Sequence, residues 1–84
     1  MIKLKIKRIN DEYCIMYKGS LVSVGMLYSI IDGMVSKEIL NQIHSLGGKI
    51  NFKINGKNII VFQTEAEALK VIDYIDSLRI MNKF

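Results

Sequence analysis

The stretch of this chain that most restricts its fold is residues 49–78, KINFKINGKNIIVFQTEAEALKVIDYIDSL. Two apolar-rich runs flank Asn55-Gly56, a dipeptide whose residues both tolerate positive φ and which therefore marks a tight hairpin. Ile50, Phe52 and Ile54 alternate with Lys49, Asn51 and Lys53, the period-2 pattern of a half-buried strand. The next run, Ile59-Ile60-Val61-Phe62, is apolar on both faces, so it belongs at the centre of a sheet or under a second cover. Thr64 and Glu67 then have capping-box spacing, in which the Thr hydroxyl accepts from the N–H at Glu67 and the carboxylate reaches back. The helix that follows buries Ala68, Val71, Ile72, Ile75 and Leu78. Acidic residues lie at its positive end and Arg79 near the other.

The register of this hairpin decides which side chains reach the core. A two-residue turn pairs Phe52 with Ile59 and Ile50 with Val61. A three-residue loop pairs Phe52 with Ile60 and Ile50 with Phe62 instead, and a one-residue slip exchanges the faces.

The first half repeats the logic more loosely. Ile2, Leu4 and Ile6 alternate with Lys3, Lys5 and Lys7, residues 10–12 supply turn chemistry, and residues 13–18 return as a second strand. Its faces are Tyr13/Ile15/Tyr17 and Cys14/Met16/Lys18, with Gly19-Ser20 closing it. From Ser20 the period changes: Val24, Leu27, Ile30, Ile31, Met34 and Val35 follow helical spacing, and Asp32-Gly33 offers a break, so that residues 20–46 form two short helices or one kinked helix. Ser36 is placed to cap a helix whose inner stripe is Ile39, Leu40, Ile43 and Leu46. Gly47-Gly48 ends it, one glycine taking the left-handed position past the C-terminus. The expected fold is a single α+β domain over residues 1–84. It has a four-stranded, mostly antiparallel sheet with helices on one face, in ββα(α)ββα order. A ferredoxin-like or RRM-like sandwich is the alternative if the first hairpin is one strand plus an irregular segment.

At 84 residues the chain buries only about 60–65% of its unfolded surface, so it needs a dense apolar interior. Half of its residues are hydrophobic, enough to build that interior and leave apolar surface over. The net charge of +4 is compatible with anionic partners without specifying them. Abundant Ile, Lys and Asn with scarce Ala and Arg fit an AT-rich genome, as in low-GC bacteria, their phages and some archaea. One cysteine, Cys14, excludes an internal disulfide and fits a reducing compartment. The start of the chain lacks the pattern of a signal peptide. Residues 21–35 are too short and too interrupted for a membrane span, which needs ~20 apolar residues. A cytoplasmic protein is expected.

No motif carries catalysis. His44, the one histidine, has no partner ligand at i±3 or i±4, and reads as a boundary residue rather than a metal ligand. Cys14 sits mid-strand without a helix N-terminus or basic run to lower its pKa, so it reads as a small buried hydrophobe. Gly47-Gly48-Lys49 lacks the spacing of a phosphate loop. Glu65 and Glu67 cap a helix, and Asp73 and Asp76 belong to a solvated face. No enzyme, cofactor or metal site is expected.

Two surfaces remain. Lys3, Lys5, Lys7, Lys49 and Lys53 form one basic face if their strands share a sheet. They would then contact ~4–5 phosphates, with Tyr13 or Tyr17 stacking on bases, and affinity would fall a few hundred-fold between about 50 and 200 mM salt. The plainer reading of that face is solvated lysines that discourage edge-to-edge aggregation. Leftover apolar residues are the second surface: Met26, Met34, Met81, Tyr28, Tyr74 and the 59–62 run, with Ile60, Phe62, Tyr74, Met81 and Phe84 as the contact candidates. The expected function is a small non-enzymatic binding or regulatory protein acting through protein–protein contact as a homodimer. A phage or mobile-element inhibitor of a host protein suits its size and composition. The alternative is a nucleic-acid-binding module using the lysine face.

Overall fold

A computed structural model describes residues 4–51 and 56–81. Lys3, Phe52, Lys53, Ile54, Asn55 and Phe84, all named above, lie outside the described residues. The order is β1 (Leu4–Ile9), β2 (Glu12–Tyr17), β3 (Ser20–Leu21), a 3₁₀ turn (Val24–Met26) running into α1 (Leu27–Ile31), α2 (Lys37–Ser45), β4 (Lys49–Asn51), β5 (Ile59–Phe62) and α3 (Glu65–Met81). The strands form one antiparallel sheet in the order β1-β2-β5-β4, with β3 also paired to β2.

Local chemistry accounts for most of the boundaries. Asn10, with φ +56°, takes the left-handed conformation in the two-residue loop that pairs Ile9 with Glu12. Lys18 and Gly19 are both at positive φ in the loop that pairs Tyr17 with Ser20, which is the geometry that matches strand twist in tight hairpins. α1 stops where Asp32 turns left-handed. Ser36 caps α2 through its hydroxyl, which accepts from Ile39 N at 3.2 Å. The other end of α2 is a Schellman closure: Gly48 N donates to Ile43 O and Gly47 N to His44 O, with Gly47 at φ +111°. Glu67 N donates to Thr64 Oγ1 at 3.2 Å, and Thr64 N donates to Glu67 Oε1 at 3.1 Å, so the capping box of α3 is closed both ways.

The segment after the β2–β3 hairpin departs from a simple ββα unit. Instead of entering a helix at once, Val22 donates to Ile15 O, accepts from Ile60 N and is followed by a Ser23–Ile59 bridge, while Val24 N donates to Asn58 O. Residues 20–24 are thus wedged between β2 and β5, which pair with each other only at Tyr13–Phe62 and Cys14–Val61. The β4–β5 register follows neither expected pattern: Ile50 faces Ile60, Lys49 faces Val61 and Asn51 faces Ile59. The Asn58 carbonyl accepts from Val24 N, on the side of β5 away from β4, in phase with Ile60 N donating to Val22 O.

That register sorts the sheet. One face carries Leu4, Ile6, Tyr13, Ile15, Tyr17, Ile60 and Phe62, all in the main core with Leu27, Ile30 and Ile31 of α1, Ile43 of α2 and Ala68, Val71 and Ile75 of α3. The helices therefore share one face, as expected. The other face holds a smaller cluster of Cys14, Ile59 and Val61 with Ile9 and Leu21, containing no helical residue.

Candidate protein-contact surface

Ile60 and Phe62 each retain 1% of their surface. As contact candidates they are corrected by their place in the sheet: β5 is buried on both faces, so both side chains belong to the core. Tyr74 is half-buried and packs on that core, as does Met26. Met81 is exposed at the end of α3.

The apolar surface that remains lies elsewhere. Because α1 ends at Asp32, Met34 leaves the expected helical stripe and is 91% exposed. Tyr28, on the outer side of α1, is exposed beside it. Together with Val24, Val35 and Leu40 they border an open depression of about 950 Å³. Val24 and Leu40 also line a second hollow of about 410 Å³, which continues to Ile43, Ile50 and Ile60. Its rim carries His44. The two hollows adjoin at Val24 and Leu40, and Ile50, 44% exposed, lies at the sheet end of the second. Ile50 was legible only as an inward strand residue; its exposure comes from sitting on an edge strand. On α3, Leu69 near the start and Ile80 and Met81 at the end also face outward, with Asp73 and Asp76 between them.

The lysines are partly brought together. Lys7 pairs with Cys14, Cys14 with Val61, and Val61 with Lys49, so Lys7 and Lys49 share the sheet face away from the helices, and Lys5 lies beside Lys7. All three are exposed. Asn51 Nδ2 donates to Glu12 Oε1 at 3.2 Å on this face, spanning β5 from β4 to β2. Tyr13 and Tyr17 lie on the opposite face, packed on the core. Arg8 and Lys18 sit over their rings at 5.9 and 5.3 Å. The expected stacking of bases on these tyrosines above the lysines is therefore corrected: the sheet stands between them.

The groups considered for chemistry are dispersed. Burial, and then the Glu12 carboxylate, push the Cys14 thiol up, opposite to what a nucleophile needs. His44 lies on the helix side of the sheet and Cys14 on the other, so the two cannot form a pair. The exposed His44 donates from Nδ1 to Gly48 O at 3.1 Å, which fixes its tautomer. Among the described residues no three His, Cys, Asp or Glu side chains gather as a metal site, and no helix is long and apolar enough to cross a membrane. Comparison with protein-family models, curated proteins and solved structures finds no match to this chain.

Proposed function

We propose that this is a small non-enzymatic binding protein that acts through protein–protein contact, with the adjoining hollows by α1, α2 and β4 as its contact surface. The observation that supports this reading is that two neighbouring hollows, the one by β4 lined almost entirely by apolar surface, adjoin at Val24 and Leu40. Tyr28 and Met34 are exposed at one hollow and Ile50 at the other; exposed apolar side chains gathered in this way mark contact sites, and Tyr and Met are enriched in interface cores. A regulatory or inhibitory role toward the bound protein, such as a phage product acting on a host protein, suits the small size and composition. Homodimerisation belongs to the same reading, with Leu69, Ile80 and Met81 of α3 as its surface. The test is capture of a partner by the native chain, compared with Met34→Asp and Tyr28→Asp. Loss of capture with unchanged thermal stability is expected; capture unaffected by both variants would overturn the assignment.

A second reading rests on Lys5, Lys7 and Lys49 sharing a sheet face. Three phosphate contacts would make nucleic-acid affinity fall roughly 20- to 40-fold between 50 and 200 mM salt. We place it second because the aromatic rings near those strands lie on the far side of the sheet.

A further inference from the structure

The outer edge of β4 has a defined hydrogen-bonding phase. Ile60 N donates to Val22 O at 3.2 Å, away from β4. Paired residues in an antiparallel ladder alternate between those that exchange hydrogen bonds and those that do not, and a residue's N–H and C=O point to the same side. The Ile50–Ile60 pair is therefore the non-bonded kind, and the Ile50 N–H and C=O project outward from the edge. Among the described residues β4 pairs only with β5. The two faces of this edge differ in chemistry. Ile50 lies on the helix side, beside the hollow of about 410 Å³. Lys49 lies on the other side with Lys7.

We propose that this edge receives an extended peptide segment of a partner protein in which apolar and acidic side chains alternate. The proposal rests on the protein-contact reading above and specifies its partner. The incoming strand exchanges two backbone hydrogen bonds with Ile50, lodges an apolar side chain in the hollow by Leu40 and Ile43, and sets its acidic side chains beside Lys49. Strand addition of this kind draws affinity from the main chain and specificity from the alternate side chains. Charge complementarity favours this occupant over a second copy of the chain: β4 itself carries Lys49 and no acid, the neighbouring Glu12 carboxylate accepts from Asn51, and each copy carries +4. The opposite edge is less suited, because Leu4 and Ile6 of β1 are already packed on the core.

Two blocked synthetic nonapeptides, one alternating Glu with Leu and Val and one with Lys replacing each Glu, are titrated into the ¹⁵N-labelled full chain. The acidic peptide should shift the amides of residues 48–51 and of Leu40, Ile43 and His44, and slow exchange of the Ile50 amide. It should bind roughly three- to fivefold more tightly than the basic one, the size of an exposed ion pair. Lys49→Glu, a surface change, should reverse that preference while the dispersed spectrum is kept. Equal binding of both peptides, shifts confined to β1, or β4 shifts that follow protein concentration alone would overturn the proposal, the last by assigning the edge to a second copy. If neither peptide moves β4 while Met34→Asp still abolishes partner capture, strand addition fails and the protein-contact reading survives.

Discussion

Glu67 lies directly over Gly47. One carboxylate oxygen closes the capping box of α3 on Thr64, and the other rests where a side chain on Gly47 would begin. The start of α3 and the end of α2 are thereby held against each other, and Gly47 is required twice, by φ +111° and by this close approach. Gly47→Ala should cost about 1–3 kcal/mol through backbone strain, with the collision added. Glu67→Ala should cost about 0.5–1.5 kcal/mol as a lost cap. In the double variant the collision is gone, so the two losses should sum to more than the combined loss by about 0.5–1 kcal/mol, as neighbouring sites do. Urea denaturation of the four proteins measures this; strict additivity would mean that the helix ends are independent.

Ile60 and Phe62 test where the core ends. Ile60→Ala should cost about 2–5 kcal/mol and Phe62→Ala about 3–5, against a total of about 4–13 for a domain of this length. Both should lower the thermal midpoint sharply or leave the chain unfolded, whatever the partner. Loss of binding after a change at either position consequently reports unfolding, and a stable Phe62→Ala protein would contradict the burial of β5.

How much of this was legible follows from how local each signal is. The capping box at Thr64 and Glu67, the cap at Ser36 and the glycine closure after α2 depend on neighbours three or four positions away, and each forms as its spacing predicts. The hairpin register depends on long-range partners: β5 is also held on its other side by residues 22–24, through Val22 and Val24, contacts that residues 49–62 do not foretell. The exposed apolar residues were legible in part. Tyr28 and Met34 already read as leftover apolar surface, and the left-handed turn at Asp32, inside the expected break, takes Met34 off the helical stripe; the exposure of Ile50 was not legible, because it depends on β4 lying at the sheet edge. The four consecutive apolar residues of β5 read correctly as doubly covered, and that cover removes Ile60 and Phe62 from any contact surface.

Met34 should behave as a surface residue in stability and as a contact residue in binding. With 91% of its surface exposed, Met34→Ala should change unfolding free energy by no more than about 0.5 kcal/mol. Leu40, half-buried between the two hollows and packed on the core, should lose about 1–3 kcal/mol on truncation, the lower part of the core range. A large loss at Met34, measured by the same urea titration, would place it under a cover and remove it from the contact surface.

Cys14 supplies a pH dependence of definite sign. Its side chain is 0% exposed on the sheet face away from the helices, and burial, followed by the Glu12 carboxylate, raises its pKa above the ordinary 9.0. The folded chain thus keeps a proton that the unfolded chain releases. The stabilising contribution is complete below the unfolded thiol pKa and declines as pH rises above it, by up to about 1.4 kcal/mol per pH unit until the folded pKa is reached. Cys14→Ala lacks this term, so its stability deficit against the native chain, measured by urea denaturation, should narrow between pH 7 and pH 10. At pH 7 a disulfide reagent should modify native Cys14 no faster than the chain opens, and adding urea should accelerate the reaction in step with unfolding. Immediate modification without denaturant, or a deficit that stays constant with pH, would show that the thiol is open to water.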